Sequence, residues 1–302
     1  MLSKQKIRSC LTGPVASVKT PFNKDGSINY KGLRKYIDFI IEEAGTKTVL
    51  LTNGDSLYTV LTDQEVAEVT KIVVEQTAGR AMVVSAERGW WTNKAKDFAV
   101  YAKNIGVDVH MVLAPDWARS STTNTLYDHF NEISNIMPVM IVTALESRPV
   151  PFKTIERIVD EQNNVVAIKD DTAGNYGRRL AITVNGKLPL LSGGRKENHL
   201  DIHFYGVDGY LSVYMSFKPK IAHKYWGLIK LEQFKRAAQI VNKYDISLLN
   251  FSQKMNLDFD AVIHGAMEVF GITTRWRRSP YYNLKDQEIE QLKDFFQKIE
   301  LL

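Results

Sequence analysis

The chain has 302 residues, 44% of them hydrophobic and 24% charged, with a net charge of +5 and one cysteine. That composition is ordinary for a globular protein with a large core. It excludes an internal disulfide and a cysteine-based metal cluster, and the sparing use of cysteine fits a reducing compartment. The densest basic stretch, RWRRSP from Arg275 to Pro280, is too short for a nucleic-acid interface. The N-terminal MLSKQKIRSC has no apolar centre of the secretory kind, and no run approaches the ~18 apolar residues of a membrane span. A soluble, cytoplasmic protein without nucleic-acid or membrane partners is the expectation.

Taken in chain order, short apolar runs alternate with helical segments. The first run is PVASVKT from Pro14, and after it Leu33, Tyr36, Ile37, Ile40, Ile41 and Ala44 fall on one helical stripe that Gly45 stops. KTVLLT from Lys47 precedes LTDQEVAEV, where Thr62 as N-cap and Glu65 three residues on predict a capping box. AMVVSA from Ala81 precedes a stripe of Phe98, Ala102 and Ile105 ending at Gly106. VDVHMVLA from Val107, PVMIVTA from Pro138, NVVAIK from Asn164, LPLLSG from Leu188 and GYLSV from Gly209 complete a set of eight. Most of these runs are apolar at consecutive positions, the pattern of parallel strands covered on both faces. Eight strand–helix units in series predict a (β/α)8 TIM barrel over residues 1–218. A doubly wound open sheet is the alternative, but no glycine-rich dinucleotide turn follows the first run. Residues 219–302 turn helix-rich, with a stripe at Phe234, Ala237, Ala238 and Val241. They are expected to pack on the barrel as part of one structural unit or to build an oligomer contact.

In such barrels chemistry sits at the carboxyl ends of the strands. Those ends read TPF at Thr20, TNGDSLY at Thr52, AERGWW at Ala86, APDWARSS at Ala114, TALESR at Thr143, KDDTAG at Lys169, SGGRKE at Ser192 and SVYMS at Ser212. None contains a histidine, so imidazole-bound metal is not expected; His110 and His203 fall within predicted elements and read as structural. Lys169 closes a strand that is otherwise apolar. In a barrel mouth, loss of water disfavours its ammonium, and the free amine condenses with a ketone to an iminium that serves as an electron sink. The competing reading pairs Lys169 with Asp170 or Asp171 at the rim. Trp90 and Trp91, near Arg88, read equally as a cap over a pocket or as packing under a loop. The glycines of SGGRKE followed by a helix start are where many barrels hold phosphate, and phosphate is kept as a minor alternative.

Five segments together resemble the dihydrodipicolinate synthase / N-acetylneuraminate lyase family of Schiff-base aldolases. They are ASVKTPFNKDGSIN from Ala16, LTNGDSLYTVLTDQE from Leu51, VVAIKDDTAG from Val165, LLSGGRKENHLDIHFYGVDGYLSVYMSFKP from Leu190 and RRSPYYNL from Arg277. The resemblance runs over nearly the whole chain. It implies a Schiff base through Lys169 with pyruvate or a related 2-oxo acid, no metal or other cofactor, and a homo-oligomer, dimer or tetramer. It implies substrate contacts from Thr20, Thr52, Asn53, Gly54, Asp55, Thr143, Gly193 and Gly194.

The pattern also departs from the family. Val142 stands where the family carries a proton-shuttling tyrosine, with Thr143 at the following asparagine. Asn53 replaces a carboxylate-binding threonine, Asp55 shortens a glutamate, and Pro115 to Trp117 replaces a tyrosine-bearing loop of the synthases. General acid–base assistance is worth about 10²–10⁴ in rate, so a substitute is required; Tyr58, Asp55, Glu87 and Glu146 are the candidates in strand-end loops. Two functions follow. The first is a Schiff-base lyase or aldolase making or breaking a C–C bond of a 2-oxo acid. The other is a barrel that binds a small carboxylic acid with little or no turnover, as sensor or structural subunit.

Overall fold

The eight apolar runs form eight short parallel strands: β1 (Gly13–Ser17), β2 (Thr48–Leu50), β3 (Met82–Ala86), β4 (Val109–Val112), β5 (Val139–Val142), β6 (Val165–Asp170), β7 (Leu190–Ser192) and β8 (Gly209–Leu211). In the computed structural model, which describes residues 2–302, they pair in sequence order and close, with Gly13 opposite Gly209 and Val15 opposite Leu211. Closure of β1 on β8 excludes the open doubly wound sheet. Nearly every strand residue is buried, as a sheet covered by side chains within and helices without requires. Gly209 is needed at the seam: a Cβ there would lie 1.9 Å from the carbonyl oxygen of Leu11.

Helix α1 (Lys4–Leu11) precedes the barrel, and α2 (Tyr30–Asp38), α3 (Asp63–Thr77), α4 (Thr92–Asn104), α5 (Thr123–Ser134), α6 (Phe152–Glu161), α7 (Gly174–Val184) and α8 (Lys196–Ile202) follow β1 to β7. The local signals explain their ends. Asn29 caps α2 by accepting from the Gly32 N–H (2.8 Å), and the helix runs on through a π turn at Phe39–Glu43 before Gly45. The capping box of α3 is formed, Thr62 accepting from Glu65 N–H (3.2 Å) and Glu65 from Thr62 N–H (2.8 Å). Leu33, Tyr36, Ile37, Ile40 and Ala44 bury the stripe read from the sequence, and Ile41 lies partly buried at its edge.

Beyond β8 come α9 (Pro219–Lys230), α10 (Phe234–Ile240), α11 (Ser247–Lys254), α12 (Phe259–Val269) and α13 (Asp286–Lys298). Polar contacts fasten this region to the barrel. Lys196 of α8 donates to both oxygens of Asp245 (2.8 and 3.0 Å), which lies between α10 and α11. Arg278 donates to both oxygens of Glu65 at the start of α3 (2.8 Å each). Among the described residues no helix is long and apolar enough to cross a membrane.

Candidate active site

A cavity of about 550 Å³ opens at the carboxyl ends of the strands. Met111 from β4, Val142 from β5 and Leu211 from β8 give it apolar wall, as do Leu249 of α11 and Phe259 of α12. The C-terminal helices thus do more than pack on the barrel: they complete its mouth. Asp260 from the first turn of α12 adds a carboxylate that no motif announced.

Lys169 lies next to last in β6, and its side chain reaches this cavity with the residue only 5% exposed. It is the one lysine of the lining. Its amine donates to Asp171, which also lines the cavity. The two environments considered for this residue therefore coincide, since the amine is both paired and in the cavity wall. Asp170 takes no part. That carboxylate is 1% exposed and accepts from the Thr143 hydroxyl (2.7 Å) and from the N–H groups of Thr172 (3.0 Å) and Ala173 (3.1 Å).

A second lysine is buried behind the β1–β2 part of the wall. β1 ends at Ser17, three residues short of the TPF segment, so Ser17 rather than Thr20 lines the cavity. Lys19, wholly buried just beyond it, donates to Asp55 (2.9 Å) and stands 3.6 Å from Asp260. Burial opposes the charge on Lys19, but the two carboxylates outweigh it and push its pKa up. Burial likewise works against the Asp55 carboxylate; Lys19, a hydrogen bond from Ser17 and the more distant Lys169 overcome it and hold Asp55 down at about 2.

The loop after β2 is folded on itself. The Thr52 N–H donates to the Ser56 hydroxyl (3.0 Å), which donates to the carbonyl of Val18 (2.7 Å), while the Thr52 hydroxyl accepts from the Asp55 N–H (2.9 Å). Thr52, Asn53, Gly54 and Asp55 all line the cavity, as does Gly194. The Asn53 amide oxygen and the Ser212 hydroxyl, both from residues of the lining, are buried without a hydrogen-bond partner.

The other residues read from the sequence lie outside the lining. The Thr20 hydroxyl is buried and donates to the carbonyl of Ser56 (2.6 Å). Thr143 supports Asp170, and Gly193 donates its N–H to the Asp170 carbonyl (2.7 Å). Of the four candidate proton carriers only Asp55 lines the cavity. Tyr58 is buried against Thr70, Glu146 is exposed, and Glu87 is buried beneath Trp90. Burial raises the Glu87 pKa to about 7, against the N–H groups of Trp90, Leu113 and Gly89 that favour its carboxylate. Trp90 packs edge-on against Phe98 with centroids 5.2 Å apart, Trp91 is exposed, and neither reaches the cavity. At β7 the turn supplies Arg195, half-buried in the cavity wall and paired with Glu197 (2.9 Å), while Lys196 is turned inward to Asp245.

The family model for the dihydrodipicolinate synthetase family matches residues 10–299. The chain belongs to this family. It is 29% identical over 301 residues to a 4-hydroxy-tetrahydrodipicolinate synthase of Methanococcus maripaludis (strain C6), covering 97% of this chain and 100% of that protein. It is 26% identical over 296 residues to the synthase of Clostridium tetani, covering 94% and 96%. Among solved structures, N-acetylneuraminate lyase from Fusobacterium nucleatum superposes with a TM-score of 0.85 at 17% identity, covering 96% of this chain and 99% of that one. A second structure of that lyase, complexed with pyruvate, superposes at 0.84 with the same identity, covering 96% and 97%. At such identity the structural likeness concerns the fold.

Against the family pattern, Val142 is the departure with most consequence. It is paired in register with Lys169 across β5 and β6 and lines the cavity, so the strand next to the amine presents a methyl-bearing wall and no hydroxyl. In the β4 loop, Asp116 is buried and accepts from Arg148 Nε (2.9 Å) and the Ser121 N–H (2.8 Å), joining this loop to the one after β5. Trp117 beside it points into solvent.

Proposed function

We propose that the protein is a Schiff-base lyase or aldolase that uses Lys169 to condense with pyruvate or a related 2-oxo acid, then makes or breaks the adjacent C–C bond. The observation that carries this reading is the Lys169 amine in the wall of a largely apolar cavity that opens at the carboxyl end of a (β/α)8 barrel. Attack on C2 gives an iminium whose positive nitrogen accepts the electrons of a breaking C3–C4 bond. The substrate carboxylate lies over the β2 loop, held by the Thr52 hydroxyl and the N–H groups of Asn53 and Gly54. The pyruvate complex of the Fusobacterium lyase supports the choice of acid. Arg195 at the β7 side receives the distal end of longer substrates. No metal or separate cofactor enters this chemistry, and the protein works as a cytoplasmic dimer or tetramer, for which a monomer mass in light scattering would be contrary evidence.

Val142 favours a second reading, a barrel that holds a small carboxylic acid without turnover. One experiment tests the first. Borohydride reduction in the presence of pyruvate and other 2-oxo acids should add the reduced acid to Lys169, seen by peptide mass spectrometry, and Lys169→Ala should take no label. No adduct with any acid of the panel overturns the enzyme reading.

A further inference from the structure

Two aspartates follow Lys169 directly, and the fold uses them in opposite ways. Asp170 is consumed by the turn, its oxygens occupied by the Thr143 hydroxyl and two N–H groups. The Asp171 side chain, 32% exposed, accepts from the Lys169 amine alone and faces the cavity. Its carboxylate lies in a notch made by glycine: a Cβ at Gly193 would fall 1.7 Å from Asp171 Oδ1. The other two carboxylates of the lining are engaged elsewhere. Asp55 is bonded to Lys19, and Asp260 stands between Lys19 (3.6 Å) and Arg277 (3.4 Å). The neighbouring strand offers only Val142.

We propose that Asp171 is the proton carrier of this site, doing the work for which Val142 has no group. The proposal rests on the Schiff-base reading of Lys169. Asp171 first takes a proton from the ammonium, freeing the amine. The amine adds to C2 of the oxo acid, the carbonyl electron pair moves to oxygen, and Asp171 carries a proton from the new nitrogen centre to that oxygen, giving the carbinolamine. The protonated Asp171 then delivers its proton to the hydroxyl, the C–O bond breaks with loss of water, and the iminium forms with Asp171 again ionised. Asp171 finally removes a proton from C3, and the C–H electrons become the C=C bond of a neutral enamine. Ammonium, carboxylate and ketone have become enamine, carboxylic acid and one water, with charge and protons balanced.

The test follows exchange of pyruvate methyl protons for deuterium by NMR in D2O, alongside borohydride trapping on Lys169. The wild type should exchange and be trapped. In Asp171→Asn exchange should fall at least about 100-fold, the low end for general acid–base loss, while prolonged trapping still labels Lys169. Asp171→Glu, which keeps the acid, should recover at least tenfold over Asp171→Asn, and Asp171→Ser should behave as Asp171→Asn, which guards against a fault peculiar to one variant. Trapping together with exchange within threefold of wild type in both Asp171→Asn and Asp171→Ser overturns the role of Asp171 alone. A wild type that is not trapped at all overturns the Lys169 reading and the role of Asp171 with it.

Discussion

One lysine stands in the cavity wall and another is buried behind it, and the two are set up differently. On the β1–β2 side Lys19 is wholly buried, faces Asp55 and Asp260, and has its ammonium form favoured. On the β6–β7 side Lys169 has one carboxylate partner and open cavity in front of it. A buried cation between two anions is a structural element, because removing its proton would leave Asp55 without its bonded cation and Asp260 with Arg277 alone. A cation with one partner that accepts its proton loses no net charge balance when the proton moves. Position in a barrel mouth therefore does not identify a reactive lysine by itself; the number and mobility of its counter-charges do.

The largest effect that would break this comparison is in Lys19. Lys19→Met should leave Asp55 without a cation, leave Asp260 with Arg277 alone, and cost about 3 kcal/mol, the low end for a broken buried pair since both carboxylates keep some solvent contact. Urea melts of the variant would measure it, and an unchanged midpoint would mean Lys19 is no keystone. A buried carboxylate with no cation bonded to it extends the contrast. Glu87 has its pKa raised from 4.5 to about 7 in the folded state. Below pH 4.5 both states hold the proton, and as pH rises toward 7 the unfolded chain ionises first. Stability should then fall across that window by at most about 3 kcal/mol. Glu87→Gln should flatten this segment of the stability–pH curve, and an identical slope in the variant would exclude Glu87 as its source.

A smaller change addresses the other lysine. Gly193→Ala places a methyl on Asp171 Oδ1 and 2.9 Å from the Asp170 carbonyl, and should cost about 1–3 kcal/mol by overpacking while pushing the carboxylate off Lys169. Its melting temperature and methyl-exchange rate should drop together; a loss of neither would show that the notch is roomy. The least effect is expected at Arg195, half-exposed and paired with Glu197. Arg195→Ala should change stability by under about 0.5 kcal/mol and leave exchange with pyruvate close to wild type. It should weaken use of longer 2-oxo acids, as read from the concentration dependence of trapping.

The barrel was legible because its evidence is repetitive: eight apolar runs with capped, striped helices between them, such as Thr62 with Glu65, leave few other folds. Strand ends were less so. β1 stops at Ser17 although the apolar character continues through Val18, since β-branched residues favour extended backbone whether or not a partner strand is there. The apolar run therefore points to Thr20, three positions beyond Ser17, which is the residue in the cavity wall. Lys169 and the Thr52–Asp55 loop stood out because their types contrast with a buried run. Asp260 and Phe259 gave no such contrast, as an acid and an aromatic at the start of a helix are commonplace, and only long-range packing brings them to the mouth. The division of labour between Asp170 and Asp171 was equally invisible in the sequence, being decided by which carboxylate the turn after β6 consumes.

Asp260 reaches Lys19 from α12, some 240 positions further along the chain. A ribosome that has released all eight strands has still not delivered one of the two anions this buried cation faces, nor the aromatic wall beside it. The entrance of the barrel is thus finished last, and any shortened form ending at β8 would leave Lys19 with a single carboxylate under an open roof.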